Sequence, residues 1–361
     1  MNEVKFYFNL IKKIPLIYIY KKFDLPFVLP YIYRFDITYK CDSKCKTCYI
    51  WKQKVDTKKE IKLEEFKKII KNVKDDVIVL ILSGGQPILR EDFSGFIKIA
   101  SDMCKNLYQI NIDINGLNSN LIKERISKAL DTCSKDINFV VVVSLDGLGK
   151  VHDDIRGIFK AYEKTLKTIK VLKDLQKNYK NLKVEIQLII SKFNIYHIKE
   201  FLENISELGI NVHSSFALEG DVFKNINSNI EVKYDKNLEE LIKYLYKRIK
   251  LISMYNFIER IFLKLHLIYF RENIQILPCY ASYSSITIDN NCNIKICDTH
   301  PKINSLKKFD YDIKTALKDD NLKFKRKEVK NNGCSCMIDC EFFLSVIQNF
   351  PLALYKYINA K

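Results

Sequence analysis

A chain of 361 residues is long enough for one large domain or two ordinary ones, and its 47% hydrophobic share can fill a core, so a folded protein is the default reading and disorder is not. The net charge of +17 raises nucleic acid or an anionic membrane as partners, yet its 60 Lys and Arg show no arginine-rich stripe. The lysines lie on amphipathic stretches such as EEFKKIIKNVKDD, residues 64–76, which read as solvated helix faces. No nucleic-acid partner is expected.

Residues 1–30 form an apolar and basic leader. The run KFYFNLIKKIPLIYIYKKFDLPFVLPYIY, residues 5–33, is broken by lysine pairs and by Pro15, Pro26 and Pro30. It reads either as a segment packed across the main domain or as an interfacial anchor whose lysines meet anionic headgroups. No apolar core with a small-residue cleavage site follows Met1, and no run of eighteen uncharged apolar residues exists. The expected location is cytoplasmic, peripheral to the membrane if the anchor reading holds.

From residue 31 to 235 the pattern alternates. Strand-length runs occur at YIYRFDIT (31–38), DDVIVLILS (75–83), YQINIDI (108–114), NFVVVVSLD (138–146), KVEIQLIIS (183–191) and INVHSSFAL (210–218). Amphipathic helical stretches separate them, at 62–73, 92–104, 121–133, 161–176 and 196–209. Strands buried on both faces and alternating with helices predict a parallel sheet. Six units are too few for a closed eight-stranded barrel, so the expected fold is α/β, a partial (β/α)6 TIM-like barrel. Its chemistry should gather at the C-terminal ends of the strands. Residues 236–274 read as a helical connection. After it, SITIDNNCNIKIC (285–297) predicts a hairpin opening a small α+β domain over 275–361.

Eleven cysteines are unevenly spread. Cys104 and Cys133 stand apart and read as small buried hydrophobes. In a reducing compartment the clustered ones mean metal or redox chemistry before disulfides. Cys41, Cys45 and Cys48 occupy the loop after the first strand. A closed zinc site takes four ligands, so three thiols leave one position short unless a distant residue supplies it. Three thiolates can also hold three irons of a 4Fe–4S cube and leave the fourth iron open. The segments SGGQP (83–87), NGL (115–117) and SLDG (144–147) fall at the same rim.

The spacing Cys41-x3-Cys45-x2-Cys48 after the first strand resembles the signature of the radical S-adenosylmethionine (radical SAM) superfamily. The run Gly84-Gly85-Gln86-Pro87 resembles that family's glycine-rich GGEP element, with Gln86 in place of the usual acid. By that likeness its backbone would meet the methionine amino group of S-adenosylmethionine. SLDGLGKVHDDIRG, residues 144–157, resembles the fourth-strand element of the peptide- and protein-modifying branches. It implies that Ser144 and Arg156 bind the ligand's carboxylate and that Asp146 organises the loop. Asn115 joins the cofactor-binding set, and the fifth-strand segment ending at Asn194 is similar to these relatives. Thr47 stands where many relatives carry an aromatic residue, which leaves Tyr49 for the adenine. For Arg156 a surface salt bridge is the plain alternative.

The second cysteine group resembles a SPASM or Twitch auxiliary-cluster domain. That likeness implies Cys279 and Cys297 as ligands of an auxiliary 4Fe–4S cluster, completed from Cys334, Cys336 and Cys340. Cys292 occupies the place of a turn glycine and is read as a non-ligand; a structural zinc site is the other reading of this group.

The resemblance implies an enzyme that reductively cleaves S-adenosylmethionine to a 5′-deoxyadenosyl radical, which takes hydrogen from a substrate. A peptide or protein side chain is the leading substrate, and a flavodoxin or ferredoxin the expected electron donor. The rivals are a radical enzyme acting on a lipid or cell-envelope intermediate and a non-catalytic iron–sulfur or zinc scaffold.

Overall fold

β-Branched runs alternating with amphipathic stretches leave the chain one economical arrangement, strands side by side with helices packed on one face. A computed structural model has that arrangement and describes residues 3–251, 253–331 and 339–359. Helix α1 (Glu3–Phe23) comes first and carries Pro15 within it. Six strands follow: β1 (Ile32–Thr38), β2 (Val79–Gly84), β3 (Gln109–Ile114), β4 (Asn138–Ser144), β5 (Leu182–Ile190) and β6 (Asn211–Phe216). Between them run α2 (Leu63–Val73), α3 (Phe93–Met103), α4 (Ser119–Thr132), α5 (Gly149–Arg156), α6 (Ala161–Asn178) and α7 (Ile198–Asn204).

The chain continues through α8 (Lys236–Arg248) and α9 (Met254–Glu272). Asp235 and Ser253 cap these two helices through their side chains, and Asn273 ends α9 in the left-handed conformation. Strands β7 (Ser285–Ile288), β8 (Asn293–Lys295) and β9 (Asn304–Ser305) come next. Helices α10 (Ile313–Ala316), α11 (Asp320–Asn331), α12 (Asp339–Gln348) and α13 (Phe350–Asn359) complete the described elements.

One sheet joins all nine strands in the order β6-β5-β4-β3-β2-β1-β7-β8-β9. Strands β1 to β6 pair in parallel in chain order, which is the partial (β/α)6 barrel. Strand β7 pairs in parallel with the free side of β1, from Ile32↔Ser285 to Phe35↔Ile288. The cysteine-bearing C-terminal segment therefore continues the barrel sheet. Its hairpin, β7 with β8, turns at Cys292, whose φ of 64° lies in the glycine-favouring region.

The strands differ from the expectation that both faces are buried. Leu80, Leu82, Ile110 and Ile112 are fully buried against the helices. The alternating positions Arg34, Ser83, Asn111 and Asp113 face the concave side. An open sheet of this size curves without closing, so its inner face need not fill with branched apolar side chains.

Helix α1 lies across the N-terminal ends of the first strands, at the floor opposite the loop-bearing rim. Phe6 stacks on Tyr108 at 4.2 Å, Lys13 donates to the Leu29 carbonyl and pairs with Asp76, and Ile17 and Tyr20 are buried with Tyr31 and Ile78.

Phe66 of α2 sits at the centre of the helix-side core, edge-on to Phe35 at 4.9 Å and Phe96 at 5.0 Å. Phe66→Ala should lower the unfolding free energy by about 3–5 kcal/mol, measured by denaturant titration. A loss below about 1 kcal/mol would mean that the sheet and helices are not joined through this cluster.

Candidate functional site

The loop carrying Cys41, Cys45 and Cys48 follows β1 and is tied down on three sides by backbone. Lys44 N donates to the Arg156 carbonyl at 2.9 Å and Lys46 N to the Ile155 carbonyl at 2.8 Å, so the end of α5 clamps its centre. Gly157 caps that helix at φ 63°, and a Cβ there would lie 2.4 Å from the Lys44 oxygen. Further along, Tyr49 N reaches the Phe223 carbonyl at 2.7 Å, and Asn225 Nδ2 donates to the Thr47 carbonyl at 2.8 Å. The Tyr49 ring lies under Lys52 Nζ at 3.9 Å.

Cys45 is buried, and Cys41 and Cys48 are half-buried. Burial pushes the Cys41 and Cys48 thiols up to about 12, with the neighbouring thiols adding to the rise and Arg156 opposing it. Thiols so placed give up their protons to a bound metal. Among the described residues no three such side chains close on a single metal ion. Three thiols on one short loop are the donor set that a 4Fe–4S cluster takes, with its fourth iron left to another ligand.

Gly84 and Gly85 have a structural reason to lack side chains. A Cβ on Gly84, at φ 113°, would lie 2.3 Å from the Thr38 oxygen, and one on Gly85 would lie 2.4 Å from the Lys40 oxygen. Gly85 N and Gln86 N donate to those same carbonyls at 2.7 and 2.8 Å. The glycine-rich segment thus seats the root of the cysteine loop, and buried Pro87 starts a short 3-10 turn behind it.

Gln86 is buried, and its Nε2 donates to Asn115 Oδ1 at 2.6 Å. Asn115 Nδ2 in turn donates to Asp42 Oδ1 at 2.6 Å. A carboxylate at position 86 would face Asn115 Oδ1 acceptor to acceptor. The acid of this chain is Asp42, inside the cysteine spacing.

Asp146, just past β4, and Arg156, at the end of α5, form a buried ion pair at 2.7 Å. The surface reading of Arg156 is thereby replaced by a buried one. Asp146 Oδ1 accepts from Ile189 N at 3.0 Å, and its carbonyl accepts from Asn194 Nδ2 at 2.8 Å. Arg156 Nη1 points at Cys45 Sγ, 3.6 Å away. Burial alone would lower the guanidinium pKa, but Asp146 and the Cys45 and Cys41 thiols outweigh it and hold it above its ordinary value. Arg156 Nε is a buried donor with no hydrogen-bond partner among the described residues. Ser144 ends β4 beside Gln187 of β5. His152 accepts from Asp146 N through Nδ1 at 3.0 Å, and burial together with Arg156 lowers its pKa to about 2.

The second cysteine group is only partly within view. Cys334 and Cys336 lie outside the described residues, as does the side chain of Cys340. Cys279 and Cys297 flank the hairpin, and burial raises the Cys297 thiol with Glu341 and Cys279 adding to it. Cys292 is fully buried, and burial pushes its thiol up to about 12 with Glu65, Lys307 and Asp289 as its charged neighbours.

Two groupings escaped the sequence reading. On the concave face Arg34 pairs with Asp298 at 3.2 Å and lies 3.7 Å from Asp36 and 3.8 Å from Asp113. Burial and Asp298 push Asp36 up to about 6. Its signal was present, because Arg34 and Asp36 interrupt an apolar strand run at a period of two. The other is a chain in which His213 Nε2 meets Glu185 at 3.0 Å and the Tyr255 hydroxyl meets His213 Nδ1 at 3.2 Å. Nothing in the sequence brings those three residues together.

Residues 35–205 match the family model described as Radical SAM superfamily. Among curated relatives, pre-heme d1 synthase of Dinoroseobacter shibae is 28% identical over 48% of this chain and 40% of its own length. The subtilosin biosynthesis protein AlbA of Bacillus subtilis is 25% identical over 52% of this chain and 39% of its own. The chain thus spans about two fifths of the length of these relatives. Among solved structures, Streptococcus suis SuiB bound to S-adenosylmethionine superposes with a TM-score of 0.60 at 18% identity, covering 85% of this chain and 70% of that one. This likeness shows the fold.

The depressed pKa of His152 sets a pH dependence. Below the unfolded value of 6.5 the unfolded imidazole takes a proton that folded His152 refuses down to about 2. The unfolded state then binds more protons, so this residue's contribution is present above 6.5 and is lost as the pH falls. His152→Asn, which keeps an acceptor for Asp146 N, should flatten the acid-side loss of stability by up to about 1.4 kcal/mol per pH unit. Parallel stability profiles for the two proteins in acid denaturation would overturn the assignment.

Proposed function

Residues 35–205 are a radical SAM domain, and from that premise we propose that this protein is a radical SAM enzyme that takes hydrogen from a peptide or protein side chain. The observation that carries this reading is the arrangement at the rim: three thiols on one clamped loop beside a buried guanidinium with a donor to spare. When bound, a 4Fe–4S cluster and S-adenosylmethionine supply the one-electron cleavage that yields the 5′-deoxyadenosyl radical.

The residues of this chain do the holding. Cys41, Cys45 and Cys48 would ligate the cluster. Arg156 Nε, with Ser144, would take the carboxylate of S-adenosylmethionine, while Asp146 keeps the guanidinium oriented. The Gly84–Pro87 segment holds the loop root, the Gln86–Asn115–Asp42 chain sets one negative charge beside it, and Tyr49 offers a ring for the adenine. Cys279 and Cys297 would begin an auxiliary 4Fe–4S site, completed from Cys334, Cys336 and Cys340. Cys292 is left out because its neighbours are Glu65 and Lys307 and its backbone makes the turn. A flavodoxin- or ferredoxin-like donor would deliver the electron.

The peptide class is supported by AlbA, named for biosynthesis of a bacteriocin, and by SuiB, seen bound to its precursor peptide SuiA. A second reading, action on a lipid or cell-envelope intermediate, is favoured by the apolar outward face of α1. Turnover assays on candidate peptides from neighbouring reading frames, followed by mass spectrometry, separate the two.

Replacing Cys41, Cys45 and Cys48 together by alanine should abolish reductive cleavage of S-adenosylmethionine while leaving metal at the C-terminal cysteines. Full cleavage by that variant would sink the proposal. Arg156→Ala should keep its iron and weaken S-adenosylmethionine binding by about 1.5–3 kcal/mol in calorimetry.

Anaerobically reconstituted protein should hold about eight irons with matching labile sulfide, and Cys279→Ala/Cys297→Ala about four. Cys292→Ala should keep the full count. Loss of iron in that variant would overturn the ligand choice, and about four irons with one zinc in the parent would replace the auxiliary cluster with a zinc site.

A further inference from the structure

Helix α1 is apolar on both sides, and the protein covers only one of them. Its inner side carries Phe6, Ile17 and Tyr20 against the barrel floor, where Tyr20 meets Tyr283 edge-on at 5.0 Å. Lys21 reaches the Cys279 carbonyl and sits 4.0 Å over the Tyr280 ring, which fixes the end of the helix. The opposite side presents Phe8, Ile11, Tyr18, Ile19 and Phe23, which share one face at helical spacing and are 55%, 63%, 51%, 40% and 58% exposed. Leu25 and Phe27 extend the patch at 56% and 54%. A helix hydrophobic all round needs a second apolar surface, and among the described residues this one meets protein on its inner side.

The charges say what kind of surface is missing. Residues 4–23 contain five lysines and no acid. Lys12 and Lys22 stand on the exposed side, their ammonium groups 3.8 and 5.4 Å over the rings of Phe8 and Phe23. No helix among the described residues is long and apolar enough to cross a membrane. A second copy of the chain meeting this face by two-fold symmetry would set lysines against lysines, with Glu3 at the start of the helix its one acid. An anionic lipid surface satisfies both requirements, since the rings enter the acyl boundary and the lysines reach the phosphates.

We propose that the outward face of α1 docks the protein flat on an anionic membrane, with the cysteine rim turned away from the lipid. The inference is independent of which substrate the rim acts on.

Flotation of the full chain with vesicles tests it. Partition into an equal mixture of phosphatidylglycerol and phosphatidylcholine should exceed that into phosphatidylcholine alone by about tenfold or more, and should weaken as salt is raised. Phe8→Ser/Ile19→Ser should cost about tenfold or more in partition, and Lys12→Glu/Lys22→Glu should erase the preference for the anionic mixture. Both variants change exposed positions, so an unaltered melting profile and iron content mark them as folded. Equal partition of the parent into the two vesicle types would overturn the proposal. So would a self-associated parent that Phe8→Ser/Ile19→Ser disperses in sedimentation velocity, because the face would then be a protein interface.

Discussion

A guanidinium taken out of water needs a carboxylate that is equally dry, and Arg156 and Asp146 meet that need at 2.7 Å. Breaking such a pair by removing one partner costs about 3–5 kcal/mol, because a buried charge is left alone. The pair does more than cancel. Asp146 is fixed by Ile189 N and by Asn194, and the backbone of Arg156 holds Lys44 in the middle of the cysteine loop. Three rim loops, those after β1, β4 and β5, therefore share one electrostatic anchor. Arg156 Nη1 lies 3.6 Å from Cys45 Sγ, so the anchor and the site are the same object.

Below that rim the barrel is open, and its concave face is polar. Arg34, Asp113 and Asp298 occupy positions that a closed barrel would fill with branched apolar side chains. The elevated pKa of Asp36 follows from burial beside a second carboxylate, with Arg34 and Lys295 only partly compensating. On β1 and β3 these charged groups stand at alternate positions, between residues buried against the helices.

Much of this was legible beforehand, for a physical reason. Cys41, Cys45 and Cys48 stand at short fixed spacings, so the loop that gathers them after β1 can be read from the chain alone. The six βα units were equally plain, because their periodicities are local. What escaped is what depends on distant pairing. The glycines of Gly84-Gly85 were read for a ligand, while the nearest demand on them is the backbone of Thr38 and Lys40. The charge absent at Gln86 reappears at Asp42 through a hydrogen bond to Asn115 that no spacing rule anticipates. Glu185, His213 and Tyr255 belong to three elements and meet only in the folded chain.

The seating of β7 against β1 has a consequence for how the protein is made. The two strands are some 250 residues apart in the chain. At a synthesis rate of about 5–20 residues per second, β1 leaves the ribosome roughly 12–50 seconds before the strand that covers its side. Through that interval the nascent barrel carries an open edge of unpaired backbone, the kind that recruits strands from other chains. Arg34 and Asp36 stand on that edge strand, and charged side chains are what keep an exposed strand solitary. The same two side chains that later meet Asp298 on the inner face thus guard the half-made protein while it waits for its own C-terminal segment.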